Sequence, residues 1–263
     1  MGAVAGSHSV MMVDAGNSPA HANAFIEALR PRGLSAPTYI ALTHYHWDHI
    51  FGSINLESLL CASAETGERL REMSRLDWRD KSLDQRVEDG SEHDFVRSHM
   101  KAEMSNIERT KLKLRLPDIT FSQKMVINLG EISCQLMWVG GDHTPDSTIV
   151  YIPEDGVVFL GDCIYSGFRA KGMIYTREKL FPLLDTLLGL DAEYFLPAHH
   201  SQPLTRAEMQ KEANRLKAVG LAAIESRGVR STAKSNLEKE LGSPLEPSAE
   251  EELDAFLFGL KSA

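Results

Sequence analysis

The sequence predicts a layered α/β fold, and three observations carry that expectation. An apolar run at Val10 to Val13 stops at a Gly turn, a series of short strand-like segments follows Pro117, and stretches with helical apolar spacing lie among and after them. Strands interspersed with helices, with a strand meander in the middle, suit layers of sheet and helix better than a strictly alternating βαβ sheet.

The elements follow in order. Val10 to Val13 reads as a short buried strand that ends at Asp14-Ala15-Gly16, and Ala20 to Leu29 has helical spacing before Pro31 and Gly33. Thr38 to Leu42 is a second apolar strand, which delivers the chain into the run His44-Tyr45-His46-Trp47-Asp48-His49; a helix is expected from Asp48. Residues 63 to 116 are densely charged with mixed sign, and apolar spacing in Phe95 to Leu114 is helical, so a helical insertion without a large core of its own is expected. From Pro117 an antiparallel meander is expected over Ile119 to Phe121, Lys124 to Ile127, Ile132 to Val139, Thr148 to Ile152 and Val157 to Leu160, punctuated by Gly130, Gly140 and Gly156. Helical spacing returns at Arg177 to Leu188, a strand is expected at Tyr194 to Leu196, and the charged tail beyond Pro203 is helical. The expected organisation is a catalytic domain over 1–203 that carries the 63–116 insertion, with a helical extension at 204–263 packed on it.

Composition narrows the function classes. With 263 residues and 43% apolar content the chain can bury a full core. A formal net charge of -9 offers no general basic field for a phosphate backbone, so nucleic acid is not an expected partner. No stretch approaches the roughly 18 apolar residues of a membrane span. Three scattered cysteines, Cys61, Cys134 and Cys163, do not make a disulfide framework and suit a reducing compartment; a cytoplasmic protein is expected.

The chemistry resides in the His-rich run. His44 and His46 are two apart at the end of an extended strand, so their side chains share a face and can grip one cation, while Asp48 and His49 lie where the chain turns. Further candidates each follow a predicted strand: His143, Asp162 and His199. Seven nitrogen and oxygen ligands imply two metals and suit zinc, two per chain, with iron or manganese as alternatives.

Asp14-Ala15-Gly16, His44-x-His46-x-Asp48-His49-x-x-Gly52, Asp142-His143-Thr144-Pro145-Asp146-Ser147, Gly161-Asp162 and Pro197-Ala198-His199 occur in the order and local context of the metallo-β-lactamase-fold hydrolase superfamily, which the chain resembles over Val10 to about Pro203. The resemblance implies an αββα sandwich with the site at one edge. It implies that His44, His46 and His143 hold a first metal, that Asp48, His49 and His199 hold a second, and that Asp162 bridges both. Asp14 becomes an outer residue that orders the ligand loops. Family members carry strands ahead of the Asp14 motif, and only 13 residues precede it here, so part of the first sheet is expected to be missing.

The expected function is a zinc-dependent hydrolase that uses a metal-bridging hydroxide, with Asp48 as a catalytic group that steers the nucleophile or relays a proton. The substrate is a small molecule with an ester-like or amide-like bond: a β-lactam, lactone or thioester. A phosphodiesterase of the same fold and a non-catalytic metal-binding scaffold are the alternatives, and a homodimer is a further expectation. Arg169, Lys171, Tyr165 and His200 are candidate substrate contacts; the cations would meet an anionic group. His200 also competes with His199 as a ligand, because neighbours at a strand end face opposite ways. Asp142 and Asp146 read as turn or cap residues, and Cys163 as a packed thiol.

Overall fold

The computed structural model describes residues 1–169 and 172–262. Lys171, a candidate substrate contact, lies outside the described residues. The chain divides into two compact units, 1–138 with 146–155, and 139–145 with 156–263.

In the first unit, β1 (Gly2–Ala5), β2 (Val10–Val13), β3 (Tyr39–Ala41), β4 (Leu59–Ser63) and β5 (Ile119–Phe121) form one sheet in that order. β1 runs antiparallel to β2, and β2 to β5 are parallel neighbours. All four residues of β2 are buried, as a continuous apolar run in a parallel sheet requires. The two motifs therefore leave adjacent parallel strands at the same end: Asp14 follows β2 and Thr43-His44 follows β3. β6 (Lys124–Asn128), β7 (Ser133–Trp138) and β8 (Thr148–Ile152) form the expected antiparallel meander in this unit.

One expectation is corrected here, and two strands occur that the sequence reading did not assign. Ile119–Phe121 pairs in parallel with β4 rather than opening the meander, because Asp118 accepts a bond from the Leu60 backbone at 2.8 Å and lays the segment against that edge. β4 itself had no distinct pattern in the sequence, since its alternation is hidden by burial of four of its five residues. Residues Gly2–Ala5, which the sequence reading assigned to no element, are a strand along β2.

The charged segment is helical, as expected, over Ala64–Met73, Asp80–Glu88, Asp94–Glu103 and Asn106–Arg109. Leu70, Trp78, Leu83, Met100 and Met104 are buried in one cluster with Met12, Ile40, Leu42, Ile50 and Phe51, and the Trp78 and Phe51 rings meet edge to face at 5.0 Å. Arg109 is 2% exposed and ties the segment together by donating to the carbonyls of Trp78, Met100 and Met104 and pairing with Asp80. Its charge is tolerable there because the planar donor fork is spread over backbone acceptors and a carboxylate.

In the second unit, β9 (Val157–Gly161) pairs in parallel with β12 (Tyr194–Pro197), and β12 pairs antiparallel with β13 (Leu204–Thr205). β10 (Gly167–Arg169) and β11 (Gly172–Ile174) make a separate antiparallel pair. Helices span Arg177–Gly189, Arg206–Glu225, Arg230–Leu241 and Pro247–Ser262. The last packs on β11 so closely that a Cβ at Gly259 would lie 2.0 Å from the Tyr175 carbonyl oxygen. Asp142 accepts from the Thr176 backbone N–H at 2.6 Å and from its hydroxyl at 3.0 Å, so its role is to brace the start of the Arg177–Gly189 helix, as its turn position suggested.

If the 64–109 helices are part of the core rather than a detachable arm, Trp78→Ala leaves a large cavity and lowers unfolding free energy by about 3 to 5 kcal/mol. Urea denaturation measures this; a loss below about 1 kcal/mol would mean the segment is peripheral.

Candidate metal centre

The first unit presents His44, His46, Asp48 and His49 on one turn, and hydrogen bonds fix which ring nitrogens face inward. Asp14 Oδ1 accepts the Thr43 backbone N–H at 2.8 Å. Its Oδ2 accepts the Thr43 hydroxyl and His49 Nδ1, each at 2.8 Å. With its proton on Asp14, the Thr43 hydroxyl accepts from His44 Nδ1 at 3.0 Å. His44 and His49 are thereby held as Nδ1–H tautomers, and each presents its Nε2 lone pair as a metal ligand requires.

His44 Nε2 lies 3.0 Å from His46 Nδ1. Two imidazole lone pairs so close repel unless a cation or a proton lies with them, and nitrogen donors at two corners of a tetrahedral zinc shell are about 3.4 Å apart. His49 Nε2 is 3.7 Å from Asp48 Oδ2, a comparable separation. The helix expected from Asp48 starts one residue earlier, is one turn long (Trp47–Ile50), and passes into a 3-10 helix at Phe51–Asn55. Trp47, Ile50 and Phe51 anchor that turn in the core. Gly52 is obligatory: a Cβ there would lie 1.9 Å from the Ala15 carbonyl oxygen, and its N–H donates to Gly16 at 3.1 Å.

Asp14 has φ +56°, a left-handed backbone that a short polar side chain can support locally. Tyr45, between His44 and His46, meets His46 edge-on at 4.8 Å and lies under the Arg69 guanidinium at 5.9 Å. The insertion thus reaches the residue between the two histidines. Asp146 Oδ2 accepts from the Thr66 hydroxyl at 2.8 Å, so this residue fastens the start of the Ala64–Met73 helix.

The second unit gathers two candidate ligands, His143 and His199, around the Asp162 carboxylate. Asp162 Oδ2 is 3.3 Å from His143 Nε2 and 3.4 Å from His199 Nε2, so one carboxylate oxygen lies within reach of both rings. His143 donates from Nδ1 to the Ser166 carbonyl at 3.1 Å, which again turns Nε2 toward the ligand side. His199 has φ +61° and its side chain is 54% exposed, whereas Asp162 is buried. Between the adjacent histidines, His199 faces Asp162, while His200 is exposed and its Nδ1 is engaged with the Gln202 carbonyl at 2.7 Å.

The remaining candidates fall as follows. The Tyr165 hydroxyl donates to the Ala198 carbonyl at 2.5 Å, and burial raises its pKa well above that of an ordinary phenol, so it stays a donor. Arg169 is exposed on β10, with its guanidinium on the neighbouring Phe168 carbonyl at 2.8 Å. Sequence reasoning missed Thr43, whose hydroxyl relays Asp14 to His44; its position directly before the first ligand was the available signal.

The fold and this histidine- and aspartate-rich metal site define a metal-dependent hydrolase. A family model described as the metallo-beta-lactamase superfamily matches residues 2–199, and the chain belongs to that superfamily. Its mixed sheets and helices are consistent with the αββα sandwich expected from the sequence.

A metallo-beta-lactamase from Pontibacter korlensis is similar over 81% of this chain and 84% of its own, at 16% identity and a TM-score of 0.56. A metallo-beta-lactamase family protein from Thermus thermophilus is similar over 82% of this chain and 75% of its own, at 20% identity and a TM-score of 0.57. A stereoselective inverting sec-alkylsulfatase from Pseudomonas sp. is similar over 98% of this chain but 46% of its own, at 12% identity and a TM-score of 0.65. Comparison with curated proteins gives no match.

Two outcomes are expected. Asp14→Asn keeps a residue that accepts the left-handed backbone but replaces an acceptor oxygen with a donor, so metal affinity falls about 10- to 100-fold in chelator competition. Unchanged affinity would remove Asp14 from the support of the ligands. Burial pushes the Cys61 thiol up to about 11 and the Cys134 thiol to about 12, and raises Cys163 further. A raised thiol stays protonated below its folded pKa, so no cysteine of the native chain reacts rapidly with a disulfide reagent at about pH 8, and all three react after unfolding.

Proposed function

We propose that this chain is a two-zinc hydrolase that opens an ester-like or amide-like bond of a small molecule, a β-lactam, lactone or thioester. In this reading His44, His46 and His143 hold the first metal, Asp48, His49 and His199 the second, and Asp162 serves both. The observation that supports it is the matching orientation of the candidate ligands: His44, His49 and His143 each direct Nδ1–H to an oxygen of the protein, which leaves Nε2 as the lone-pair donor for a metal. Five imidazoles and two carboxylates suit zinc better than a harder cation.

When bound, such a pair supplies Lewis acidity at the attacked carbonyl and brings the ionisation of water toward neutral pH. The chain's own groups do the rest. Asp14 keeps the His49 ring aligned and strengthens its Nε2 as a donor. Asp48, half-buried on the one-turn helix, is the carboxylate placed to orient the nucleophile and take up its proton. Arg169, exposed on β10, would meet an anionic group of the substrate at the rim. Three buried free thiols support a reducing, cytoplasmic setting.

The test loads purified chain with zinc and assays a chromogenic cephalosporin, a homoserine lactone, a thioester, a bis-aryl phosphodiester and a secondary alkyl sulfate. Two metals per chain and chelator-sensitive turnover of one of the first three are expected. Turnover of only the phosphodiester or the sulfate would overturn the bond class, and tight metal without any turnover would leave a scaffold. Asp162→Ala should lose metal and at least about 1000-fold in kcat/KM, given that the shared carboxylate supports both sites.

A further inference from the structure

The turn after Asp162 is bonded to all three ligand segments of the second unit. The Tyr165 N–H donates to the Asp162 carbonyl at 2.9 Å, and the Ser166 carbonyl accepts His143 Nδ1 at 3.1 Å. The Tyr165 hydroxyl reaches across to the Ala198 carbonyl at 2.5 Å, one residue before His199. The Tyr165 ring also stands edge-on to His143, with centroids 6.4 Å apart. Ala198 is held from its other side, because its N–H donates to Gly161 at 2.9 Å.

His199 needs this support more than any other ligand of its unit. It is the one with a left-handed backbone, at φ +61°, and its side chain is 54% exposed, so packing alone does not fix it. A non-glycine residue in that region costs about 1 to 2 kcal/mol and persists only where neighbouring bonds over-determine it. The carbonyl that precedes His199 is the acceptor whose orientation sets that backbone angle.

We propose that Tyr165 is a positioning residue for His199, fixing the strained backbone that presents the half-exposed ligand, and that it does not contact substrate. The proposal rests on the reading of His199 as a metal ligand. It assigns the phenol to metal retention: loss of the hydroxyl loosens one of the two metals and leaves the first, held by His44, His46 and His143, in place. The Tyr165 ring stays in place in Tyr165→Phe, so the edge contact with His143 is kept and only the bond to Ala198 is lost.

The experiment compares the wild-type chain with Tyr165→Phe by zinc titration against a chromophoric chelator, and then measures KM and kcat at saturating zinc. In Tyr165→Phe one of the two zinc affinities is expected to fall about 10- to 100-fold, with the other unchanged and with KM at saturating zinc within about twofold of wild type. Unchanged zinc affinities, or a KM raised tenfold or more at saturating zinc, would overturn the proposal, the second outcome by making Tyr165 a substrate contact. A wild-type chain that binds fewer than two zinc ions would overturn the two-metal reading itself, an outcome separate from any difference between the two proteins.

Discussion

The carboxylate of Asp14 is the constraint on which the ligand turn of the first unit depends. It sits at the end of a fully buried strand and receives three hydrogen bonds, two from Thr43 and one from His49. A buried carboxylate without donors would cost several kcal/mol, so the site must keep its donors in place once the strand is buried. Thr43 passes the constraint on to His44, and His49 carries it to the one-turn helix. The entropic cost of ordering the turn from Thr43 to His49 is thus offset by a group that the core already holds rigid.

The second unit solves the same problem with backbone instead of a buried acid. Ser166, Ala198 and Gly161 contribute carbonyls and an N–H, and the turn at Asp162 lies at the C-terminal end of β9, beside the parallel end of β12. Parallel neighbours bring residues far apart in sequence, 162 and 199, to one sheet end, which is why ligands in such folds collect beyond the carboxyl ends of strands. Among the described residues the non-glycine positions with positive φ are Asp14, His199 and Arg227, and the first two stand at candidate ligand segments.

The candidate donors could be picked out of the sequence because they follow apolar runs that form strands, and strand ends bring side chains to one edge. The α/β class and the β6 to β8 meander were legible for the same reason. What escaped notice was whatever depended on partners rather than pattern. β4 is buried on both faces and shows no alternation, and β5 reads as part of a meander until Asp118 ties it to Leu60. The charged segment advertised helices, but its share in the core rests on five scattered apolar residues and a buried arginine whose acceptors are main-chain carbonyls. Tyr165 and His200 showed only that they could form hydrogen bonds, and the fold decided with whom.

Gly52 and Gly167 have no functional atoms, yet a single added carbon at either would fall 1.9 Å from the Ala15 carbonyl oxygen or 2.0 Å from that of Asp142. Each glycine lets a ligand-bearing segment lie directly on the backbone of another segment. A survival screen of all single substitutions would therefore score these two silent positions alongside the histidines. Intolerance in this chain marks where two main chains touch as sharply as it marks where a metal binds.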